Sequence, residues 1–293
     1  MADHTGLNLH QDVALFREAI NYTASRTGFN ARLIEKDYFC SVALSYLAHH
    51  GGEQLVFKGG TCLAKVHAGF YRLSEDLDFA ISTPIDANRT QRRLSVEAVK
   101  CAVSDIAKHL PDFSMTEALT GANNSTQYNG MIAYQSPSTG RSENILIEVS
   151  VREPLLLPAE KAHAHTLLLD PISGQNMVPS MPLNCIARDE AFAEKFRAAL
   201  SRRDVAIRDF YDLDYATQHL ILDIDNPKLI AMIKSKLNVP GNSPVDVSPE
   251  RLADLKRQLS TRLKPVLQEE AFQTFDLERS FELVAEVAQH FSA

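Results

Sequence analysis

The amino-acid sequence predicts an α+β fold, in which a mixed β-sheet flanked by helices is followed by a helical second domain. Three observations support this prediction: helical periodicity over the first 50 residues, strand patterns between residues 75 and 151, and helical periodicity alone after residue 183. A chain of 293 residues has the length of about two domains. We therefore predict an α/β front domain at residues 1–183 and a helical domain at residues 184–293.

The front domain is predicted to begin with two helices and a strand that enters a glycine turn. Apolar residues near a 3.6-residue spacing predict the helices, and Gly51-Gly52 ends the second one. A short apolar run then leads into Lys58-Gly59-Gly60-Thr61, the pattern of a strand, a tight turn and a helix. In chain order, these elements are helices at 11–25 and 31–50, a strand at 55–57 and a helix from residue 61 to about 68.

The remaining elements follow from the same periodicities. Residues 75–82 alternate carboxylate and apolar side chains, which predicts a strand. Residues 113–151 carry β patterns separated by turn residues, which predicts an antiparallel meander, and prolines punctuate loops and short strands at 154–182. Helices are predicted at 89–109, 188–201, 204–221, 226–238, 248–264 and 276–291, with Ser248 and Asp276 as N-caps of the last two.

The composition excludes several classes of protein. Hydrophobic residues make up 45% and charged residues 23%, which rules out disordered and collagen-like chains. No uncharged apolar run reaches the roughly 18 residues of a membrane helix, and the four cysteines form no CxxC pair. We therefore expect no membrane contact, no disulfide scaffold or zinc knuckle, and a cytoplasmic location. Walker A, GxGxxG and GxSxG patterns are absent from the sequence.

The strand at 75–82 carries the first candidate metal ligands. Residues two apart on a strand point the same way, so Asp76 and Asp78 present two carboxylates from one face. Such close like charges repel each other unless a cation lies between them. Mg²⁺ prefers hard oxygen ligands, commonly one or two carboxylates together with substrate phosphates. We therefore expect Asp76 and Asp78 to bind Mg²⁺ or Mn²⁺.

Glu148 is the natural third carboxylate. It shares its strand parity with Leu146 and Ser150, and so points away from the denser apolar set Ile145, Ile147, Val149 and Val151. A glutamate inside such a run is costly unless it is paired or binds a metal, and a third carboxylate allows a second ion. The alternative is an ordinary salt bridge along the strand.

The Gly59-Gly60 turn supplies candidate phosphate contacts. Glycines let the backbone approach a ligand closely, and the N–H groups at the start of a helix favour anions. Lys58 adds a positive charge and Thr61 a hydroxyl group. A Gly-Gly turn followed by the Asp76/Asp78 strand is far more specific than either feature alone.

The stretch KGGT…SEDLDF resembles the AbiEii/AbiGii-type nucleotidyltransferase toxins, which include the MenT toxins and have the polymerase-β-type nucleotidyltransferase fold. Three later stretches are similar to further motifs of that family: ILIEVS with Glu148, AEKFRAAL with Lys195, and RDFYDL with Asp209 and Asp212. The resemblance covers about residues 30–220. An upstream IEKDY at 34–38 is also similar to the family, without a role that we can assign.

The resemblance implies a Mg²⁺-dependent enzyme that transfers a nucleoside monophosphate from an NTP to an RNA end, such as the tRNA 3′ terminus, and that has a cognate antitoxin. The implied catalytic residues are Asp76, Asp78, Lys195, Asp209 and Asp212. The implied nucleotide-binding residues are Lys58, Gly59, Gly60, Thr61, Ser74 and Arg208, and the implied metal ligands are Asp76, Asp78 and Glu148.

The later motifs also have a physical rationale. Lys195 lies between Ala191 and Ala199 on one helix line, where small neighbours leave its ammonium group room to hold a triphosphate. Asp209 and Asp212 share a face of the next helix, and either could orient Lys195 if the helical domain contributes to the cleft of the front domain. The alternatives are a solvated ion pair for Lys195 and a structural network for Arg208, Asp209 and Asp212.

Ser74 and two basic stretches complete the candidate residues. Ser74 has the strand parity of Asp76, so a phosphate on its hydroxyl would put negative charge at the metal site and switch it off. Basic side chains at residues 89–108 and 251–264 are candidate contacts for RNA, or ordinary solvated helix faces.

Two further functions stay open at this point. The acceptor could be a protein or small-molecule hydroxyl group, or the chain could be a non-catalytic nucleotide- or RNA-binding module. The formal charge of −7 argues weakly against nucleic acid, but three of these negative charges belong to the proposed metal ligands.

Overall fold

The computed structural model describes residues 7–291, which divide into two compact units. The first unit ends at Ile186 and contains a seven-stranded sheet with helices. The second begins at Ala187, and its described residues, 187–291, form helices and no strand. This architecture confirms the α+β class. No helix within residues 7–291 has the length and apolar character needed to cross a membrane.

The sheet of the first unit is mixed, with strand order β3-β4-β5-β2-β1-β7-β6. Strand β2 pairs with β5, and β1 with β7, in parallel, while the other neighbours are antiparallel. The predicted meander is β3 to β5. The strands are β1 Val56–Lys58, β2 Leu77–Ala80, β3 Phe113–Ala122, β4 Gln127–Gln135, β5 Ser142–Ser150, β6 Glu160–Ala164 and β7 Met181–Cys185.

The helices of this unit include α2 (Ala31–His50), whose bounds agree with the predicted ones. Every side chain from Leu33 to Leu47 is buried in α2, which marks it as a core helix. The predicted single helix at 89–109 is wrong in its continuity, because Val96 leaves helical geometry between two helices. The other helices are α1 Val13–Thr27, α3 Gly59–Cys62, α4 Arg89–Ser95 and α5 Glu97–His109, and a π-helical turn at Leu63–His67 continues α3.

The second unit contains six α-helices within its described residues. Ser248 and Asp276 cap α9 and α11 by accepting hydrogen bonds from backbone N–H groups, as predicted. The short helix α10 was not predicted, because none of its side chains is buried and it therefore shows no apolar periodicity. The helices are α6 Arg188–Ser201, α7 Ile207–His219, α8 Pro227–Leu237, α9 Pro249–Gln258, α10 Glu269–Thr274 and α11 Leu277–Ala288.

Candidate active site

A row of polar side chains crosses one face of the sheet in the first unit. Asp78 on β2 lies opposite Glu148 on the parallel strand β5 and opposite Lys58 on the antiparallel strand β1. Side chains of register partners share a face, and adjacent strands lie about 4.8 Å apart. The neighbouring residues on the other face, such as Phe57 and Phe79, are buried. The sheet therefore places two carboxylates and an ammonium group side by side.

Asn129 extends this row and was missed by the sequence analysis. It lies on β4 opposite Glu148. Its side-chain oxygen Oδ1 is buried and accepts no hydrogen bond from any of the residues 7–291 that the structure describes. A buried oxygen without a donor is costly, and a hard cation beside Glu148 would satisfy it. An asparagine within a β run gives little signal of its own, because only the pairing of β4 with β5 brings it to the carboxylates.

Gly59 has to be glycine because Asp78 occupies the space above it. Gly59 has a φ of +75°, which disfavours other residues, and a Cβ atom at this position would stand 2.1 Å from Oδ2 of Asp78. The first glycine of the turn therefore brings the backbone of α3 against a proposed metal ligand.

Gly60 has a different reason to be glycine. A Cβ atom there would stand 2.6 Å from Nη2 of Arg72 and 3.3 Å from Oγ of Ser74. Arg72 is 1% exposed, and its Nη1 donates to the carbonyl of Leu73. The structure thus brings Ser74 to the glycine turn, together with an arginine that the sequence analysis did not select. A sequence pattern does not show that a guanidinium group 12 residues downstream fills the space above Gly60.

Thr61 joins the turn to the carboxylate strand. Its hydroxyl donates a 2.5 Å hydrogen bond to the backbone carbonyl of Asp76, and its side chain is buried. Asp76 directly precedes β2, two residues before Asp78. The hydroxyl group therefore fixes the approach of Asp76 to the Gly59-Gly60 turn.

Helix α2 holds both ends of this segment through the IEKDY stretch. Asp37 Oδ1 accepts a 2.5 Å hydrogen bond from Lys65 Nζ in the turn after α3, and the Lys65 side chain has 0% exposure. Lys36 Nζ donates to Glu75, the residue before Asp76, at 3.1 Å. The IEKDY stretch, which had no role assigned from the sequence alone, thus anchors the segments that carry Thr61 and Asp76.

The second unit contains a half-buried lysine between two buried carboxylates. Lys195 Nζ on α6 lies 2.7 Å from Oδ1 of Asp209 and 2.8 Å from Oδ2 of Asp212 on α7. The Asp212 side chain has 0% exposure and the Asp209 side chain 6%. Lys195 is therefore a clamped, largely desolvated cation rather than part of a solvated ion pair, and both aspartates orient it.

Arg208 and the basic stretches are mostly engaged within the protein. Arg208 Nε donates to the carbonyl of Arg262, and the Nη2 atoms of Arg92 and Arg251 donate to backbone carbonyls. Ion pairs bind four further members of the stretches: Lys108 with Asp105, Lys256 with Glu278, Arg257 with Asp254, and Lys264 with Glu269. Arg92 and Arg251 therefore serve structure, whereas the ion-paired Lys108, Lys256, Arg257 and Lys264 remain largely exposed, as on solvated helix faces.

A group of cysteine and histidine side chains lies on a different part of the first unit. Cys62 in α3, His67 and Cys185 at the end of β7 have potential ligand atoms within 4.8 Å of one another. A hydrogen bond from Cys62 and the nearby His67 lower the pKa of Cys185 to about 6, while burial raises the pKa of Cys62 well above its ordinary value. No sequence pattern indicates this group, because its members are up to 123 residues apart in the chain.

Nucleotidyltransferases have a fold of this class, in which a mixed sheet carries paired carboxylates beside a Gly-Gly turn. Two solved structures share the fold. JHP933 from Helicobacter pylori has a TM-score of 0.52 and 17% identity, over 89% of this chain and 92% of that one. MenT4, a nucleotidyltransferase toxin from Mycobacterium tuberculosis, has a TM-score of 0.50 and 21% identity, over 88% of this chain and 83% of MenT4.

The particular family follows from the sequence match. The model of the nucleotidyl transferase AbiEii toxin, of type IV toxin–antitoxin systems, matches residues 43–286, and the chain belongs to this family. It is therefore a nucleotidyltransferase, as its motifs predicted. A comparison with curated proteins gives no match.

Proposed function

We propose that this nucleotidyltransferase toxin uses Mg²⁺ or Mn²⁺ to transfer a nucleoside monophosphate from an NTP to RNA, with the tRNA 3′ terminus as acceptor. The observation that supports the chemistry is the pairing of Asp78 with Glu148 directly beside the Gly59-Gly60 turn. Family membership implies a nucleotide substrate and an antitoxin partner. A cytoplasmic location belongs to the same proposal.

The donor set fits a hard cation. Asp78, Glu148 and Asp76 supply carboxylate oxygens, and the buried Oδ1 of Asn129 is an amide oxygen to which no group in the described part of the chain donates. Mg²⁺ selects such oxygen ligands, and Mn²⁺ accepts the same set. When bound, the ion would neutralise phosphate charge and lower the pKa of an acceptor hydroxyl group.

The protein groups around the ligands hold the nucleotide in this proposal. The Gly59-Gly60 turn and Lys58 lie against the carboxylate row, where backbone N–H groups and an ammonium group favour phosphate oxygens. Positioning and electrostatic stabilisation account for most of the rate of phosphoryl transfer. For Lys195, Asp209, Asp212 and Arg208, the resemblance implies a role toward the triphosphate, and that role is part of the proposal.

The test is incubation of the purified chain with each labelled NTP, Mg²⁺ and total tRNA, resolved on a denaturing gel. We expect label on tRNA that depends on the metal ion and is lost in the Asp78→Asn variant. Asp86→Asn is the matched control, because Asp86 is an exposed aspartate outside the site and its loss should leave transfer unchanged. Full labelling by Asp78→Asn would refute the metal assignment.

The same gel separates the two alternative functions. Label that appears on protein, or on a small molecule resolved by thin-layer chromatography, and not on tRNA would replace the RNA acceptor while keeping the chemistry. Metal-dependent NTP binding without release of pyrophosphate from the NTP, whichever acceptor is supplied, would point to a binding module instead.

A further inference from the structure

The group Cys62, His67 and Cys185 has the composition and geometry of a site for a soft metal ion. The three potential ligand atoms all lie within 4.8 Å of one another, and Nε2 of His67 is 3.9 Å from Sγ of Cys185. Both cysteines are free and fully buried. Two thiolates and an imidazole form a ligand set typical of Zn²⁺, which binds sulfur at about 2.3 Å and nitrogen at about 2.0 Å. Small side-chain movements close the present separations to those distances.

The surroundings of the group favour a cation. Glu160 on β6 is the cross-strand partner of Cys185 on β7, so their side chains share a face and their Cβ atoms lie about 5 Å apart. Glu160 is exposed and not among the three side chains whose ligand atoms lie together, so its carboxylate would have to turn toward the cysteines to supply the fourth ligand of a tetrahedral ion; water is the other common fourth ligand. Nε2 of His67 is 3.0 Å from the carbonyl of Ile186, and because a carbonyl only accepts, this nitrogen carries the imidazole proton. A metal ion that binds Nε2 replaces this proton, and the neutral imidazole then carries its proton on Nδ1.

This group is distinct from the carboxylate row. Cys185 is the register partner of Phe57, so it belongs to the sheet face opposite to that of Lys58 and Asp78. Its donors are sulfur and nitrogen, which select Zn²⁺ over Mg²⁺, whereas the carboxylate row offers only oxygen. The two sets of ligands therefore select different ions.

We propose that Cys62, His67 and Cys185 bind one Zn²⁺ ion, with Glu160 as the neighbour best placed to complete the coordination. Cys62 follows Thr61 in α3, and Cys185 ends the strand next to β1. The ion therefore ties α3, the helix of the Gly59-Gly60 turn, to the strand β7. Coordination requires both thiols to lose their protons, so the affinity rises with pH.

The test measures zinc binding by the full chain, without reference to nucleotide transfer. Protein freed of metal with a chelator and a reductant is titrated with Zn²⁺, and the bound metal is counted by native mass spectrometry. We expect one Zn²⁺ per chain, and a Co²⁺-loaded form with an intense thiolate-to-metal charge-transfer band. Excess Mg²⁺ should not displace either ion.

Variants locate the site. Cys62→Ser and Cys185→Ser should lose the ion, and His67→Gln should weaken binding at least about tenfold, the lower end of the cost of losing an orienting contact at a metal site. His67→Gln keeps the test valid if a cysteine variant fails to fold, because His67 is only half-buried. Cys40→Ser is the matched control, since Cys40 is a buried free cysteine outside the group. Its zinc content should equal that of the wild type.

Three results would overturn the proposal. The first is a wild-type chain that takes up no zinc. The second is zinc that persists in both Cys185→Ser and His67→Gln. The third is a Cys62–Cys185 disulfide in protein purified without reductant, together with no zinc uptake once that disulfide is reduced. This result would assign the two thiols to redox chemistry instead.

Discussion

The carboxylate of Asp78 fills the space directly above Gly59, where a Cβ atom would come within 2.1 Å of Oδ2. The Gly59-Gly60 turn and β2 therefore pack so closely that Oδ2 of Asp78 leaves no room for a side chain at position 59. A single methyl group at position 59 has to displace either the carboxylate or the backbone of α3. This contact yields a test of the site that removes none of its functional groups.

We expect Gly59→Ala to abolish nucleotide transfer. The substitution costs about 1–3 kcal/mol in backbone strain at positive φ and also displaces Asp78. Gly140→Ala is the matched control, because Gly140 has a φ of +69° and no atom of the described residues lies within 4 Å of its Cβ position. Gly140→Ala should show the strain alone, as a modest loss of thermal stability with transfer retained. Equal transfer by both variants would show that the fit between Gly59 and Asp78 does not matter.

Divalent metal should stabilise the protein through the carboxylate row. An ion that binds only the folded state adds about 2.7 kcal/mol at one hundred times its Kd, so Mg²⁺ or Mn²⁺ should raise the melting temperature. Asp78→Asn and Glu148→Gln each remove one of two facing carboxylates and should reduce that shift. Without metal, each substitution also removes the repulsion between two facing carboxylates. Neither variant should therefore lose more than about 1 kcal/mol in the free energy of unfolding relative to the wild type. The measurement is a thermal melt with and without the ion, and an unchanged shift in Glu148→Gln would remove it from the ligand set.

Local patterns in the sequence were enough to predict a mixed sheet and most helices, and to select Asp76, Asp78 and Glu148 as candidate metal ligands. Strand parity predicted that Glu148 points away from the denser apolar face of its own strand, and the pairing of β2 with β5 then places it opposite Asp78. Arg72, Lys65 and Asn129 were not predicted, since each reaches the site through contacts between segments that are distant in the chain. The same reason hides the cysteine–histidine group, which has no CxxC spacing.

The buried pair of Lys65 and Asp37 should be essential to the stability of the first unit. Asp37→Asn leaves the buried ammonium group of Lys65 without its counter-charge, and Lys65→Met leaves the buried carboxylate of Asp37 without its own. Each single variant should therefore lose about 3–5 kcal/mol in the free energy of unfolding. The double variant Asp37→Asn/Lys65→Met should be less destabilised than the sum of the two, because no buried charge remains. Urea unfolding measures the three values. Lys108→Met is the control, since its pair with Asp105 is exposed and should contribute at most about 1 kcal/mol.

The Lys195 clamp, formed by Lys195, Asp209 and Asp212 in the second unit, differs from the Lys65–Asp37 pair in its charge. One ammonium group faces two carboxylates, so the clamp carries an excess of negative charge. Lys195→Met leaves Asp209 and Asp212 buried together, and we expect a loss of about 3–5 kcal/mol in the free energy of unfolding. Asp212→Asn added to this variant should restore part of that loss, since it removes one of the two facing negative charges. Lys234→Met on α8 is the control, because Lys234 is exposed.

The two aspartates should differ in the single variants. Asp212 is fully buried, whereas Asp209 also has Arg202 at 3.7 Å from its second oxygen. Asp212→Asn should therefore destabilise the protein more than Asp209→Asn, because its charge has less access to solvent and screening. If transfer falls in Asp209→Asn while the urea midpoint stays near the wild-type value, the role of Asp209 goes beyond holding the fold. If activity and stability fall in parallel for both variants, the clamp is structural, and the catalytic role inferred for Lys195 from the family resemblance would have to be withdrawn.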